Sequence, residues 1–183
     1  RDSIELTAVS PVRISGTAVS SSRIRGLLEK GNVTDANELL VFPYRVEGRV
    51  EQGQRRGKEL GFPTANLGSV YTLVPQDGVY AGVATIASGA RYGAAIHVGK
   101  NLTFGAANKT IEVHLLGFSG DLYGQVLQVE FFQRIRATEK FEGVDALTKQ
   151  LHADVAQIES LSQLNLEKPQ AQRVSLSSAS FSG

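Results

Sequence analysis

The feature that most limits the folds open to this chain is an alternation of apolar and polar residues that begins at Tyr44. Tyr44, Val46, Gly48 and Val50 alternate with charged residues, a period of two that is typical of a β-strand. Further strand-like runs follow at short spacing, separated by turns with glycine or asparagine: 79–86, 92–98, 111–116 and 127–132. Because no helix-length gaps separate them, these short runs predict antiparallel strands closed into a small barrel.

A short helical hairpin is predicted ahead of the strands. The serines at 20–22 can cap a first helix, and Gly31 can end it. Asn32 or Thr34 can cap a second helix, which Pro43 terminates.

A longer helix is predicted after the strands. Apolar residues recur there at steps of three and four, which indicates one apolar stripe that packs on the barrel: Val144, Leu147, Leu151, Val155, Ile158 and Leu161. From about residue 168 onward the chain is rich in serine, and we expect a disordered or poorly anchored tail.

Composition excludes several classes of function. The 183 residues carry a net charge of only +1, so nucleic acid and anionic membranes are not expected partners. No apolar run approaches the length of a membrane helix and no leader peptide is apparent, which makes the cytoplasm the default location. The absence of cysteine excludes disulfides and thiolate-metal sites. Methionine is also absent, even at position 1, so we expect a fragment of a longer protein.

Residues 57–66 (Gly-Lys-Glu-Leu-Gly-Phe-Pro-Thr-Ala-Asn) are the stretch least easily explained by folding alone. Glycine lets a backbone approach phosphate closely, and Thr64 and Asn66 offer two oxygen ligands on one side of an extended segment. A nucleoside triphosphate with its magnesium ion requires such groups. In the simpler interpretation, Gly61 and Pro63 only shape a turn. The residue order is not that of a Walker loop.

The Gly-Phe-Pro-Thr-Ala-Asn string, which follows a basic, glycine-bearing segment, resembles the signature of riboflavin kinases. The resemblance implies that Thr64 and Asn66 bind Mg²⁺ and the nucleotide phosphates. It also implies a flap over the phosphates, formed by Gly57, Lys58 and Gly61. The implied fold is mainly β, a six-stranded antiparallel Greek-key-like barrel of the riboflavin kinase type with a C-terminal α-helix.

Glu112 is a candidate catalytic residue. Thr110 and His114 share its face of the predicted strand, whereas Ile111 and Val113 point to the other. Most strand carboxylates face solvent, but a polar inner face of a small barrel would indicate a site. The Ile-Glu-Val-His string resembles the strand with the family's catalytic glutamate, which implies that Glu112 accepts the proton of the alcohol. His114 alone is more often a hydrogen-bonded structural residue, and zinc is not expected.

Residues 134–141 (Arg-Ile-Arg-Ala-Thr-Glu-Lys-Phe) form a charged junction between strand and helix, with surface ion pairs as the simplest interpretation. They also resemble the family's Ile-Arg-x-x-x-Lys-Phe segment. That resemblance implies that Arg136 closes over the flavin and phosphates, where it would offset charge on the phosphoryl group. Residues 121–124 resemble a family turn. Residues 98–105 resemble a family loop, with Leu102 where proline is usual.

The Val-Ser-Ser-Ser-Arg-Ile-Arg string at 19–25 is most simply a capped helix start. It also resembles the motif that closes the adenylyltransferase module of bacterial bifunctional FAD synthetases, in which a helix N-terminus holds nucleotide phosphates. This implies an adenylyltransferase remnant at 1–43, a kinase barrel with its helix at 44–167 and a tail at 168–183. Because that module's upstream histidine motif is absent, adenylyl transfer by this chain alone is not expected.

The sequence thus predicts a riboflavin kinase that converts ATP and riboflavin to ADP and FMN with Mg²⁺ bound to the nucleotide. An N-terminal adenylyltransferase module is the expected covalent partner, and a homo-oligomer is left open. Two alternatives also stay open: a flavin- or nucleotide-binding barrel without turnover, and an unrelated β-barrel interaction domain.

Overall fold

The computed structural model of the chain describes residues 10–53, 56–100 and 109–166. The secondary-structure elements in chain order are β1 (Arg13–Ile14), β2 (Thr17–Ala18), α1 (Ser21–Glu29), α2 (Val33–Leu39), β3 (Arg45–Glu51), α3 (Arg56–Glu59), β4 (Ala65–Gly68), β5 (Gly78–Thr85), β6 (Arg91–Lys100), β7 (Lys109–Leu115), β8 (Val126–Arg136) and α4 (Val144–Leu166). The predicted tail from residue 168 and the predicted loop residues 101–105 lie outside the described residues.

The strands β3 to β8 close into a six-stranded barrel in the order β3-β4-β7-β6-β5-β8. Every neighbouring pair is antiparallel. The predicted antiparallel barrel is therefore confirmed. Its shortest strand, β4, has four residues and lies in the glycine- and proline-bearing segment, where the sequence predicted only an extended stretch.

The barrel interior is filled by the apolar half of each alternating strand. Val46, Val50, Ile111 and Val113 are buried in one core cluster, together with residues from the other four strands. Tyr80 and Phe131 are fully buried there and meet edge to face, with ring centroids 5.4 Å apart. The charged half of β3 points outward, as its alternation predicts.

The helical hairpin packs onto the barrel as part of the same core. Ser20 caps α1 by accepting a hydrogen bond from the Arg23 amide at 3.3 Å, as predicted from the serine run. Buried side chains from both helices join the barrel cluster: Leu28, Val33 and Ala36. Asn37 of α2 ties the hairpin to β8 by donating to the Phe131 carbonyl at 2.8 Å. The division of the chain at residue 43 stays a prediction.

The long helix α4 lies on the outer face of β5 and β6. Ile158 is fully buried against Val79 and Ala81, and Ser162 donates to the Gly82 carbonyl at 3.0 Å. Of the predicted apolar stripe, Val144 is 62% exposed, whereas Asp154 and Ser162, both outside it, are buried. Among the described residues, no helix is long and apolar enough to cross a membrane.

Substitution of Ile158 by alanine should destabilise the protein by about 2–5 kcal/mol, because it leaves a cavity between α4 and β5. Urea denaturation followed by circular dichroism measures this change. Val144→Ala, an exposed position on the same helix, should change the free energy of unfolding by less than about 0.5 kcal/mol. Equal effects of the two substitutions would contradict the observed packing of α4.

Candidate functional site

One row of residues crosses the whole barrel, each opposite the next in the strand register. The row, called the cross-strand row below, consists of Glu51, Asn66, Glu112, His97, Val79 and Arg136. Directly opposed side chains on antiparallel strands have Cβ atoms roughly 4.5–5.5 Å apart. Asn66 and Glu112, predicted separately from the sequence, are thus immediate neighbours.

The cross-strand row lies on the outer face of the barrel. Ile111 and Val113 on either side of Glu112 are buried in the core, so the alternation directs Glu112 away from it. The expectation that Glu112 belongs to a polar inner face is therefore wrong. The carboxylate side chain is half-buried nonetheless.

The phosphate-binding candidates Gly57, Lys58 and Gly61 lie around the short helix α3. Gly61 adopts a φ of 84°, which favours glycine. Gly57 accepts a hydrogen bond from the Phe62 amide at 2.8 Å, and its Cα faces the Phe62 carbonyl so closely that a side chain would collide with it. The side chain of Lys58 lies outside the described atoms, as does Arg55. The turn predicted here is confirmed.

Thr64 and Asn66 border a cleft of about 780 Å³ at one end of the barrel. Its walls come from the end of β3, the start of β4, the C-terminal end of β7 and the segment 118–123. The Asn66 amide packs directly over Gly53, which leaves no room for a side chain there. Glu112 does not line the cleft, whereas Asn66, its partner across the strands, does.

The segment 121–124, expected to be structural, forms the turn that closes this end of the cleft. The Asp121 carboxylate accepts a hydrogen bond from the Tyr123 amide at 2.9 Å, and Gly124 has a φ of 75°. The predicted turn is confirmed. The loop that contains Leu102 is outside the described residues.

Arg136, predicted to close the site, is held by α4 in this structure. Its Nε and Nη2 atoms donate to the Asp154 carboxylate at 2.8–3.0 Å, and its guanidinium lies 5.5 Å from the Phe141 ring centroid. Arg136 lies three strand spacings from Glu112 along the cross-strand row, a distance of about 14 Å. The expectation of an ordinary surface ion pair at this junction is wrong, because the two side chains are only 15% and 4% exposed.

Sequence reasoning gave no role to His97, which lies directly opposite Glu112 on β6. Its ring packs over Gly99, where an added methyl group would lie 2.8 Å from the imidazole Cε1. The run at 92–98 predicted a strand, but only the pairing register places His97 beside the carboxylate. Gly53 was likewise missed, since nothing in the sequence indicates its contact with Asn66.

The described residues contain no group of three or more histidine, cysteine or acidic side chains placed to hold a metal ion. Thr64 and Asn66 offer neutral oxygen atoms, and the carboxylates of Glu51 and Glu112 flank Asn66 in the register. Mg²⁺ bound to a nucleotide takes most of its ligands from phosphate and water, so it needs only one or two protein oxygens. This donor set fits such an ion.

Solved structures place the fold in a defined class. The chain is similar to the riboflavin kinase from Trypanosoma brucei, with a TM-score of 0.52, 26% identity and coverage of 72% of this chain and 84% of that one. It is also similar to a Streptococcus pneumoniae structure named a macrolide-efflux protein, with a TM-score of 0.77, 38% identity and coverage of 82% and 50%. The barrel with its C-terminal helix is thus shared with a riboflavin kinase.

The family is shown by sequence comparison. The family model described as flavokinase, riboflavin kinase, matches residues 40–162. The bifunctional riboflavin kinase/FMN adenylyltransferase of Bacillus subtilis is 38% identical over 152 residues, which cover 81% of this chain and 48% of that protein. The protein of the same name from Haemophilus influenzae is 39% identical over 137 residues, with coverage of 75% and 44%. The chain belongs to the riboflavin kinase family, and it spans about half the length of the curated relatives it matches.

Substitution of Asp154 by alanine should cost about 3–5 kcal/mol of stability, because it leaves the Arg136 guanidinium buried without a carboxylate. Replacement of both partners, Arg136→Met with Asp154→Leu, should cost much less, since no unpaired charge remains. Urea denaturation of the two variants measures the difference. A single substitution no more harmful than the double one would show that the pair is not effectively desolvated.

Proposed function

We propose that this chain is a riboflavin kinase, which transfers the γ-phosphoryl group of ATP to the ribityl 5′-hydroxyl of riboflavin to give FMN and ADP. The observation that carries the proposal is the pairing of Asn66 with Glu112 across β4 and β7. It joins a phosphate- and metal-binding candidate to a candidate base in a chain of the riboflavin kinase family.

ATP is assigned to the cleft at the end of the barrel. Thr64 and Asn66 lie on its wall, so a nucleotide in the cleft can direct its phosphates toward both side chains. Because Asn66 lines the cleft and pairs with Glu112 on the neighbouring strand, a γ-phosphate held at Asn66 would lie beside Glu112. Gly57, Lys58 and Gly61 would cover the phosphates from the preceding turn.

Riboflavin is assigned to the side of the cross-strand row that leads from Glu112 toward α4. Glu112 accepts the proton of the 5′-hydroxyl and orients the oxygen toward the γ-phosphorus, the usual role of a carboxylate in alcohol phosphorylation. His97 is the next residue along the row. Arg136 lies at its far end, so its predicted closing role is assigned to the flavin side and not to the transferring phosphoryl group.

Mg²⁺ would be held by Thr64 and Asn66 together with the phosphates. When bound, the ion neutralises phosphate charge and aligns the γ-phosphoryl group for in-line transfer. The protein's contribution is to fix two oxygen atoms on one side of an extended segment. The half of the relatives that this chain does not match is proposed to carry the adenylyltransferase step that follows FMN formation.

The activity is tested by incubation of the chain with riboflavin, ATP and Mg²⁺ and by chromatography for FMN. Formation of FMN supports the kinase. Quenching of riboflavin fluorescence without FMN would support a binding barrel without turnover. The absence of both quenching and FMN formation would favour the alternative of an interaction domain.

Glu112→Gln should lower kcat by about 10²–10⁴-fold, because the amide cannot accept the hydroxyl proton. The KM for both substrates should change little, since the two side chains have the same shape. Steady-state FMN formation measures both constants. Glu47→Gln makes the same chemical change at an exposed position on the outer face of β3 and serves as the control. A Glu112→Gln enzyme with normal kcat would remove Glu112 as the base.

Asn66→Ala should raise the KM for MgATP by about 10–100-fold, the effect expected from loss of one oxygen that binds a charged group. Raised Mg²⁺ should partly restore the rate, because the lost group is a ligand of the ion. Titration of MgATP at several Mg²⁺ concentrations measures both effects. Gln157→Ala, at an exposed position of α4, is the matched amide control. An unchanged KM would contradict the assigned role of Asn66.

A further inference from the structure

We propose that His114 is a positioning residue that fastens the phosphate-binding segment to the strand that carries Glu112, and thereby sets the affinity for MgATP. The inference rests on the proposed kinase function. It starts from one contact: His114 Nδ1 lies 2.8 Å from the carbonyl oxygen of Pro63, the residue before Thr64.

This contact defines which imidazole nitrogen carries a proton. A carbonyl oxygen can only accept a hydrogen bond, so the Nδ1 atom that faces Pro63 must carry the proton. His114 is two residues from Glu112 on the same face of β7. One rigid strand therefore presents both the candidate base and the donor that holds the loop.

The bond lies at the place where backbone pairing between β4 and β7 ends. The last opposed pair of that ladder is Ala65 with Val113. One step further, Thr64 would face His114, but the described ladder does not extend to this pair. The imidazole reaches past Thr64 to the Pro63 carbonyl and so extends the attachment of the loop beyond the last ladder pair.

Phe62, the residue before Pro63, reinforces the attachment with its ring. Its side chain is buried, and its ring meets His114 edge to face at a centroid distance of 5.6 Å. It meets His152 of α4 in the same way at 4.9 Å. The Phe62 amide also donates to Gly57 at 2.8 Å, which connects the fastened part of the loop to its glycine-bearing part.

The expected effect is on substrate binding more than on the chemical step. Without the donor, the segment 57–64 samples more conformations before ATP binds, and binding must order it. Once the nucleotide is bound, its own contacts hold Thr64, so the chemical step proceeds from nearly the same geometry. A loss of this kind raises KM and leaves kcat nearly unchanged.

The test compares His114→Asn with His114→Gln. The asparagine Nδ2 atom is as many bonds from Cα as the imidazole Nδ1, so it can donate to Pro63, whereas the glutamine amide lies one bond further out. We expect His114→Gln to raise the KM for MgATP about fivefold, the size of one lost hydrogen bond, with kcat within about twofold. His114→Asn should restore most of the affinity.

Two readouts do not depend on turnover. Hydrogen exchange of fragments that cover residues 57–64 should be faster in His114→Gln than in the unmodified chain or in His114→Asn. NMR of the unmodified chain should show the His114 proton on Nδ1, which holds even if a variant fails to fold. If the unmodified chain makes no FMN, the kinase proposal fails, while these two readouts still judge the role of His114.

The proposal is overturned by any of four results: a proton on Nε2 with none on Nδ1, no change in either variant, equal impairment of both variants, or a lowered kcat with unchanged KM in His114→Gln. Equal impairment would mean that the imidazole ring itself, and not its hydrogen bond, is required. Gln157→Ala, at an exposed position of α4 outside these contacts, should leave the KM within about twofold of normal.

Discussion

The register between β4 and β7 is the constraint on which the rest of the site depends. Side chains alternate between the two faces of a strand, so a slip of one residue would bury Asn66 or Glu112 and expose their apolar neighbours. The short strand β4 makes only three pairs with β7, so this register depends strongly on the apolar residues Ala65 and Leu67 inside the barrel. Core packing therefore decides which side chains lie on the outer face at the candidate site.

Two kinds of contact stabilise the outer face around the cross-strand row. On the side of the cleft, glycines permit close contacts: Gly53 lies against the side chain of the candidate residue Asn66, and Gly57 lies against the Phe62 carbonyl. On the side of α4, a desolvated ion pair between Arg136 and Asp154 joins the helix to the end of β8. The first arrangement borders the cleft, whereas the second anchors α4 to the barrel.

The sequence predicted the elements better than their mutual placement. Period-two alternation identified the long strands, and serine and glycine caps identified the hairpin, because both signals are local. The sequence did not identify β4 as a strand, because four residues are too few to show a period. The outward direction of Glu112 and the neighbour His97 depend on which strands pair and on which face meets the core. Asp154 is polar and off the apolar stripe, and its burial depends on a partner distant in the sequence, Arg136, which the helical pattern does not reveal.

The helical hairpin and the barrel share one core, so the extent of that core differs from the extent of the family model. The family model begins at residue 40, yet Leu28, Val33 and Ala36 fill the same interior as the strands. The segment that the family model matches is thus smaller than the segment that shares one hydrophobic core. In a longer protein, a structural change that moves α1 or α2 would therefore act directly on the barrel core. Such a change would need no contact between the surface of the barrel and the surface of another module.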